Sequence, residues 1–125
     1  MQPTFVYNAT VKTVHDGDTM TVIVDLGFKA SLEVILRLNG INAPELSATD
    51  GSGTAAKYHL QLLLAGTSLT TAGVPCVIKT YKNPGDKYGR WLADVISSTG
   101  VDINQQMVTD GFALPYSGTG PKPTP

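Results

Sequence analysis

Short runs of β-branched residues, each closed by a glycine-containing turn, constrain this chain more than any other feature. Phe5 to Val14 alternates loosely and offers Val6, Ala9, Val11 and Val14 as inward positions. Thr19-Met-Thr-Val-Ile-Val24 is a second run and Leu32-Glu-Val-Ile-Leu-Arg-Leu38 a third. Such residues fit a pleated, half-buried surface, and the Asp-Gly of His15-Asp16-Gly17-Asp18 is a strong hairpin signal. In the third run Glu33, Ile35 and Arg37 share one face, and Leu32, Val34, Leu36 and Leu38 share the other. Three successive strands joined by short turns predict a meander.

A helix then interrupts the strands. Ser52-Gly-Thr54 offers a cap, Ala55 to Ala65 is built of good helix formers, and Gly66 ends it. Ala56, Leu60, Leu63 and Leu64 fall on one face at helical spacing. Val74 to Thr80 predicts a fourth strand, Trp91 to Ile96 a fifth, and Asp102 to Asp110 a short second helix closed by Gly111. The expected class is a β-rich α+β fold, a five-stranded Greek-key OB-fold barrel with one inserted helix and a second short one. A length of 125 residues, with 42% hydrophobic and 15% charged, suits one globular domain. It is expected over residues 1–116, with 117–125 as a flexible Gly/Pro tail.

Composition also excludes classes. No apolar run approaches the roughly 18–20 residues of a membrane span. The N-terminus has no basic, apolar leader, so a cytoplasmic location is the default, although a processed secreted form would read the same way. The single cysteine, Cys76, excludes an internal disulfide framework and reads as a small buried hydrophobe. His15 and His59 are not placed as a metal pair, and Trp91 reads as core or rim. Nine Lys+Arg against ten Asp+Glu give a net charge of −1, without the basic excess usual in a nucleic-acid binder. The positive charge is concentrated, however, because Lys79 to Arg90 holds four basic residues and one acidic.

Three segments carry candidate chemistry. Asp16-Gly17-Asp18-Thr19 sets two carboxylates at a turn, where oxygen ligands suit Ca²⁺ or Mg²⁺, or where Asp merely caps its own backbone. Arg37-Leu-Asn-Gly-Ile-Asn42-Ala43-Pro44-Glu45 delivers an arginine from a strand and a carboxylate from a loop stiffened by proline. The bland alternative is a surface salt bridge of Arg37 with Glu45 or Glu33. Asp86-Lys87-Tyr88-Gly89-Arg90-Trp91-Leu92-Ala93 offers a guanidinium for phosphate and a tyrosine face for a base, or simply a solvated basic loop. Together the three describe a phosphodiester site with one divalent cation, one carboxylate base and two arginines.

These motifs, with Ile103-Asn104 and Gly111-Phe-Ala113, resemble the staphylococcal nuclease (thermonuclease) family in order and spacing from about residue 9 to 116. The resemblance implies Ca²⁺-dependent hydrolysis of DNA or RNA, single strands preferred. By it, one Ca²⁺ would be held by Asp18, Asn42 and the Ala43 carbonyl, with Asp16 supporting from behind. Glu45 would be the general base, Arg37 and Arg90 would stabilise the transition state, and Lys87, Tyr88 and Tyr116 would bind nucleic acid. Asn42 replaces the family's usual aspartate, so weaker Ca²⁺ binding is expected. The family's C-terminal helix is missing from the pattern, which leaves a surface for an oligomer interface or a partner. The alternative reading is a catalytically silent nucleic-acid-binding OB module. A third is an interaction protein, such as an accessory domain of a phage or mobile element.

Overall fold

The turn at Gly17-Asp18 folds the first strand back on the second and starts a barrel. A computed structural model describes residues 5–66, 71–81 and 91–116. In chain order the elements are β1 (Val6–Asp16), β2 (Thr19–Gly27), β3 (Ala30–Leu38), β4 (Ile41–Asn42), α1 (Ser52–Ala65), β5 (Pro75–Tyr81), β6 (Trp91–Ser97), α2 (Ile103–Thr109) and β7 (Leu114–Pro115). The long strands close in the order β1-β2-β3-β6-β5, and β4 pairs with β7 in a small separate sheet. All barrel pairs are antiparallel except β3 with β6, which run parallel through Leu36↔Trp91, Arg37↔Leu92 and Leu38↔Ala93. This is the expected five-stranded OB barrel with two helices.

Inward residues of the barrel, among them Met20, Val22, Leu36, Leu38, Ile78 and Val95, form one cluster with Ala56, Leu60 and Leu64 of α1 and Ile103 and Met107 of α2. The expected face of α1 is therefore the buried one, with Leu63 half-buried at its edge. α1 and α2 close the barrel at the end where β1 turns into β2. The His59 ring on α1 stacks on Phe112 at 4.1 Å and bonds Asp110 Oδ2 at 2.6 Å, tying the two helices together. That bond, and then one from Gln106, hold the Asp110 carboxyl below its ordinary range. Cys76 is buried in the barrel wall, and burial pushes its thiol up to about 11. No described helix is long and apolar enough to cross a membrane.

Three local expectations are corrected. Val6 is exposed, and Tyr7 is the residue that turns inward with Ala9 and Val11. The pairing of β1 with β2 shifts register between Val11 and Thr13, so Val14 points inward although it breaks the alternation. No single period-two pattern fits both halves of that strand. Leu32 lies on the inward face as expected, yet it is exposed because the barrel is open at that end. The cap of α1 is Gly51 with φ 80, not Ser52 or Thr54, and Asp50 Oδ1 accepts from the Ser52 N–H at 2.9 Å. For α2 the cap is Asp102, which accepts from the Gln105 N–H. After Gly111 a single short strand follows, β7, and the expected loss of a C-terminal helix concerns residues outside those described.

Candidate functional site

The site is assembled where three turns meet. At the first, Gly17 has no room for a side chain: a Cβ there would lie 2.7 Å from the Cβ atoms of both Ala43 and Ala56. Glycine thus lets the β1–β2 turn lie against α1 and against the loop after β4. The Asp18 N–H donates to Asp16 Oδ1 at 3.0 Å, and the Asp18 carbonyl accepts from the Leu38 N–H at 2.8 Å. These bonds fix the Asp18 backbone to the end of β3.

The Asp18 carboxylate is buried and fully engaged. Its Oδ1 accepts from the Thr19 hydroxyl at 3.0 Å, and its Oδ2 accepts from the Ala43 N–H at 2.9 Å. Burial raises the neighbouring Asp16 carboxyl to about 6, and its bond with Asp18 and the Asp18 charge raise it further in the same sense. Two acids thus sit closer together than their ionised forms favour.

Arg37 projects outward from β3, yet its side chain is only 10% exposed. Its Nη2 lies 3.7 Å from Asp18 Oδ2 and donates to Asn42 Oδ1 at 3.3 Å and to the Ile41 carbonyl at 3.4 Å. The ion-pair partner is therefore Asp18 rather than Glu45 or Glu33; Glu33 pairs instead with Lys12. The Tyr116 ring lies under the guanidinium, its centroid 5.6 Å from Cζ, and the Tyr116 N–H donates to the Gly40 carbonyl at 2.7 Å. Gly40, at φ 80, supplies the left-handed turn that brings residues 41–43 back beside Arg37.

Glu45 ends the same loop. Its carboxylate is exposed and its Oε2 accepts from the Ser47 hydroxyl at 3.4 Å. Its backbone is held more firmly. The Glu45 carbonyl accepts from the Ala48 N–H at 3.0 Å and occupies the space a Cβ on Gly53 would need, 1.8 Å away. A reactive carboxylate is thus left in solvent on a backbone that α1 positions.

Asp18, Arg37, Asn42, Ala43 and Tyr116 are brought together, with Asp16 behind and Glu45 on the adjoining loop. Lys87, Tyr88 and Arg90 lie outside the described residues. His15 bonds Thr21 Oγ1 across β1 and β2 at 2.7 Å. Sequence reasoning missed the supporting role of Gly53, which reads as part of a cap. It also missed what Asn104 does. Asn104 donates to the carbonyls of Asn39 at 2.8 Å and Ala93 at 3.0 Å, and accepts from the Val95 N–H at 3.0 Å. That side chain stitches α2 to β6 and to the turn before Ile41. A buried polar residue opening a short helix is the one signal that pointed to it.

The donor chemistry suits a hard cation. The Asp18 carboxylate, the Asn42 amide oxygen and the Ala43 carbonyl are all oxygen ligands, and the crowded pair of acids would be relieved by positive charge. Among the described residues no three His, Cys, Asp or Glu converge, so a cation here would take this mixed set. A family model described as staphylococcal nuclease homologue matches residues 35–124 of the chain. No curated protein matches the chain.

Proposed function

The chain belongs to the staphylococcal nuclease homologue family, and on that premise we propose that it hydrolyses phosphodiester bonds of DNA or RNA with Ca²⁺. A nuclease-family or nucleic-acid-binding module is what the family establishes. The finer reading is carried by one observation: Arg37, Asp18, Asn42 and Ala43 share a buried cluster beside the solvent-facing Glu45. Asp18, Asn42 and the Ala43 carbonyl would hold the ion. When bound, Ca²⁺ supplies positive charge against the oxygens of the phosphate.

The protein's own groups do the rest. Arg37 presents a guanidinium whose orientation is set before substrate arrives, by the Ile41 carbonyl, Asn42 and the Tyr116 ring. Such a fixed fork stabilises the charge that develops as the phosphorus becomes pentacovalent, without reorganising in that step. Arg90 is assigned the same duty on the family pattern. Glu45 takes the proton of the attacking water, a step worth typically about 10²–10⁴-fold. Lys87, Tyr88 and Tyr116 are the proposed contacts for the strand, and Asp16 supports Asp18 through the Asp18 N–H.

One observation favours a second reading, a binding module with little or no catalysis. Asn42 brings no negative charge, and its oxygen already accepts from Arg37. Cleavage of single-stranded DNA across a wide range of Ca²⁺, with Mg²⁺ and EDTA as comparisons, decides between them. Ca²⁺-dependent cleavage that saturates only at high concentration supports the nuclease. A folded protein that binds the strand and never cuts it leaves the binding module.

A further inference from the structure

The barrel has a second opening that this chemistry leaves unused. At the end away from α1, the strands part into a groove of about 640 Å³ walled by Tyr7, Leu26, Leu32, Val34 and Trp91, with Phe5 and Tyr81 among the flanking residues. The surface is apolar but wet: Phe5 is 50% exposed, Leu32 53%, Leu26 44% and Trp91 44%. A contiguous apolar patch of this kind marks a binding surface. The β2–β3 hairpin beside it turns through Phe28 at φ 54 and Lys29 at φ 63, conformations that favour glycine or asparagine, and the Phe28 side chain is fully exposed. Backbone strain kept on an exposed aromatic residue is a common companion of ligand contact.

We infer that this mouth holds an unpaired nucleobase of the strand whose phosphate is gripped at Arg37, an inference that rests on the function proposed above. Charge complementarity supports that occupant. Lys79 Nζ stands 5.6 Å from the Tyr81 ring centroid at the rim, and the sequence joining Tyr81 to Trp91 carries three basic residues against one acidic. Phosphates on either side of a captured base find cations there. A second copy of this chain, docked symmetrically, would set Lys79 near Lys79 instead. The two sites also share a strand: Leu36 lines the groove from inside, and Arg37, the next residue, faces out. Because Leu36 pairs with Trp91, the base would sit one strand register from the phosphate site. Walls with so few polar groups stack a base without reading its identity, so the groove selects unpaired strands and not sequences.

Trp91 is the only tryptophan in the chain, so its emission reports on the groove directly. In EDTA, to prevent cleavage, oligothymidylate is expected to quench that emission, while an abasic strand of the same length leaves it unchanged. Leu32→Ser should weaken oligothymidylate binding about 5- to 100-fold by fluorescence anisotropy, with abasic-strand binding unaltered. Should that variant fail to fold, Phe28→Ser at the hairpin tip carries the same expectation. Equal binding and quenching by both strands, with Ca²⁺-dependent cleavage intact, overturns the base subsite and leaves the nuclease reading standing. Neither binding nor cleavage overturns both. Emission that changes with protein concentration alone assigns the groove to a second copy and overturns the proposal.

Discussion

The two ends of the barrel solve opposite problems. At the helix-packed end, every turn is locked by something distant in the sequence: Gly17 by Ala43 and Ala56, Glu45 by Gly53, Asn39 by Asn104. At the other end, Leu26, Leu32 and Trp91 belong to the same inward rows as the core, yet nothing among the described residues covers them. The same strand illustrates both: Leu36 and Leu38 are fully buried in β3, while Leu32 on the same face is open. The lesson is that alternation sets the face of a strand, and burial depends on what closes that end. Reaction chemistry needs the locked end, where positions must hold to a fraction of an ångström. A binding groove tolerates the open one.

The contrast can be broken by substitution. The largest effect belongs to Glu45→Gln, expected to lower cleavage about 10²–10⁴-fold with strand binding kept, as single-turnover assays would read. Unchanged turnover would remove Glu45 from the reaction. Next is Gly53→Ala, whose new methyl collides with the Glu45 carbonyl and should cost about 3 kcal/mol in urea unfolding. Asn104→Ala strips partners from three backbone groups and should cost roughly 2–3 kcal/mol by the same measurement. Leu32→Ser, at the open end, should change stability by no more than about 0.5 kcal/mol. If it costs as much as Gly53→Ala, the two ends are not different in kind.

Two smaller tests sharpen the picture. Asn42→Asp adds a charged oxygen beside Asp18 and should lower the Ca²⁺ needed for half-maximal cleavage roughly tenfold. The last concerns pH. His59 holds the Asp110 carboxyl below its ordinary value of 3.8, so the charged form is favoured in the folded protein. That contribution is present above 3.8 and is lost as pH falls through the lower folded value. Asp110→Asn should therefore flatten the acid limb of a stability-against-pH curve. An unchanged limb would mean that the bond between α1 and α2 carries no linkage.

Much of this was legible before any coordinates. The five barrel strands, the buried face of α1 and the short α2 follow from periodicity and turn chemistry, because those signals are local. The grouping of Asp18, Arg37 and Asn42 was legible only through a resemblance, since no local rule brings residue 18 beside residue 42. Val6 was misjudged because a register shift in β1 defeats simple alternation. The cap of α1 was misjudged because Asp50 and Gly51 do the work that Ser52 and Thr54 advertise. Gly53 was invisible for a plainer reason: its contribution is an absent side chain, and sequence alone does not say which atom fills the space.

The bond from Tyr116 to Gly40 and the pairing of β7 with β4 have a consequence in time as well as in space. Synthesis delivers residue 40 early and residue 116 last among the described ones. The barrel's first hairpins can therefore form on the ribosome while the arginine at position 37 still lacks its aromatic neighbour. A polypeptide caught part-way through translation would carry Asp18, Arg37 and Glu45 but not the clasp that organises them. Maturation of the site is thus tied to completion of the fold, and a nascent fragment near messenger RNA stays incompletely assembled.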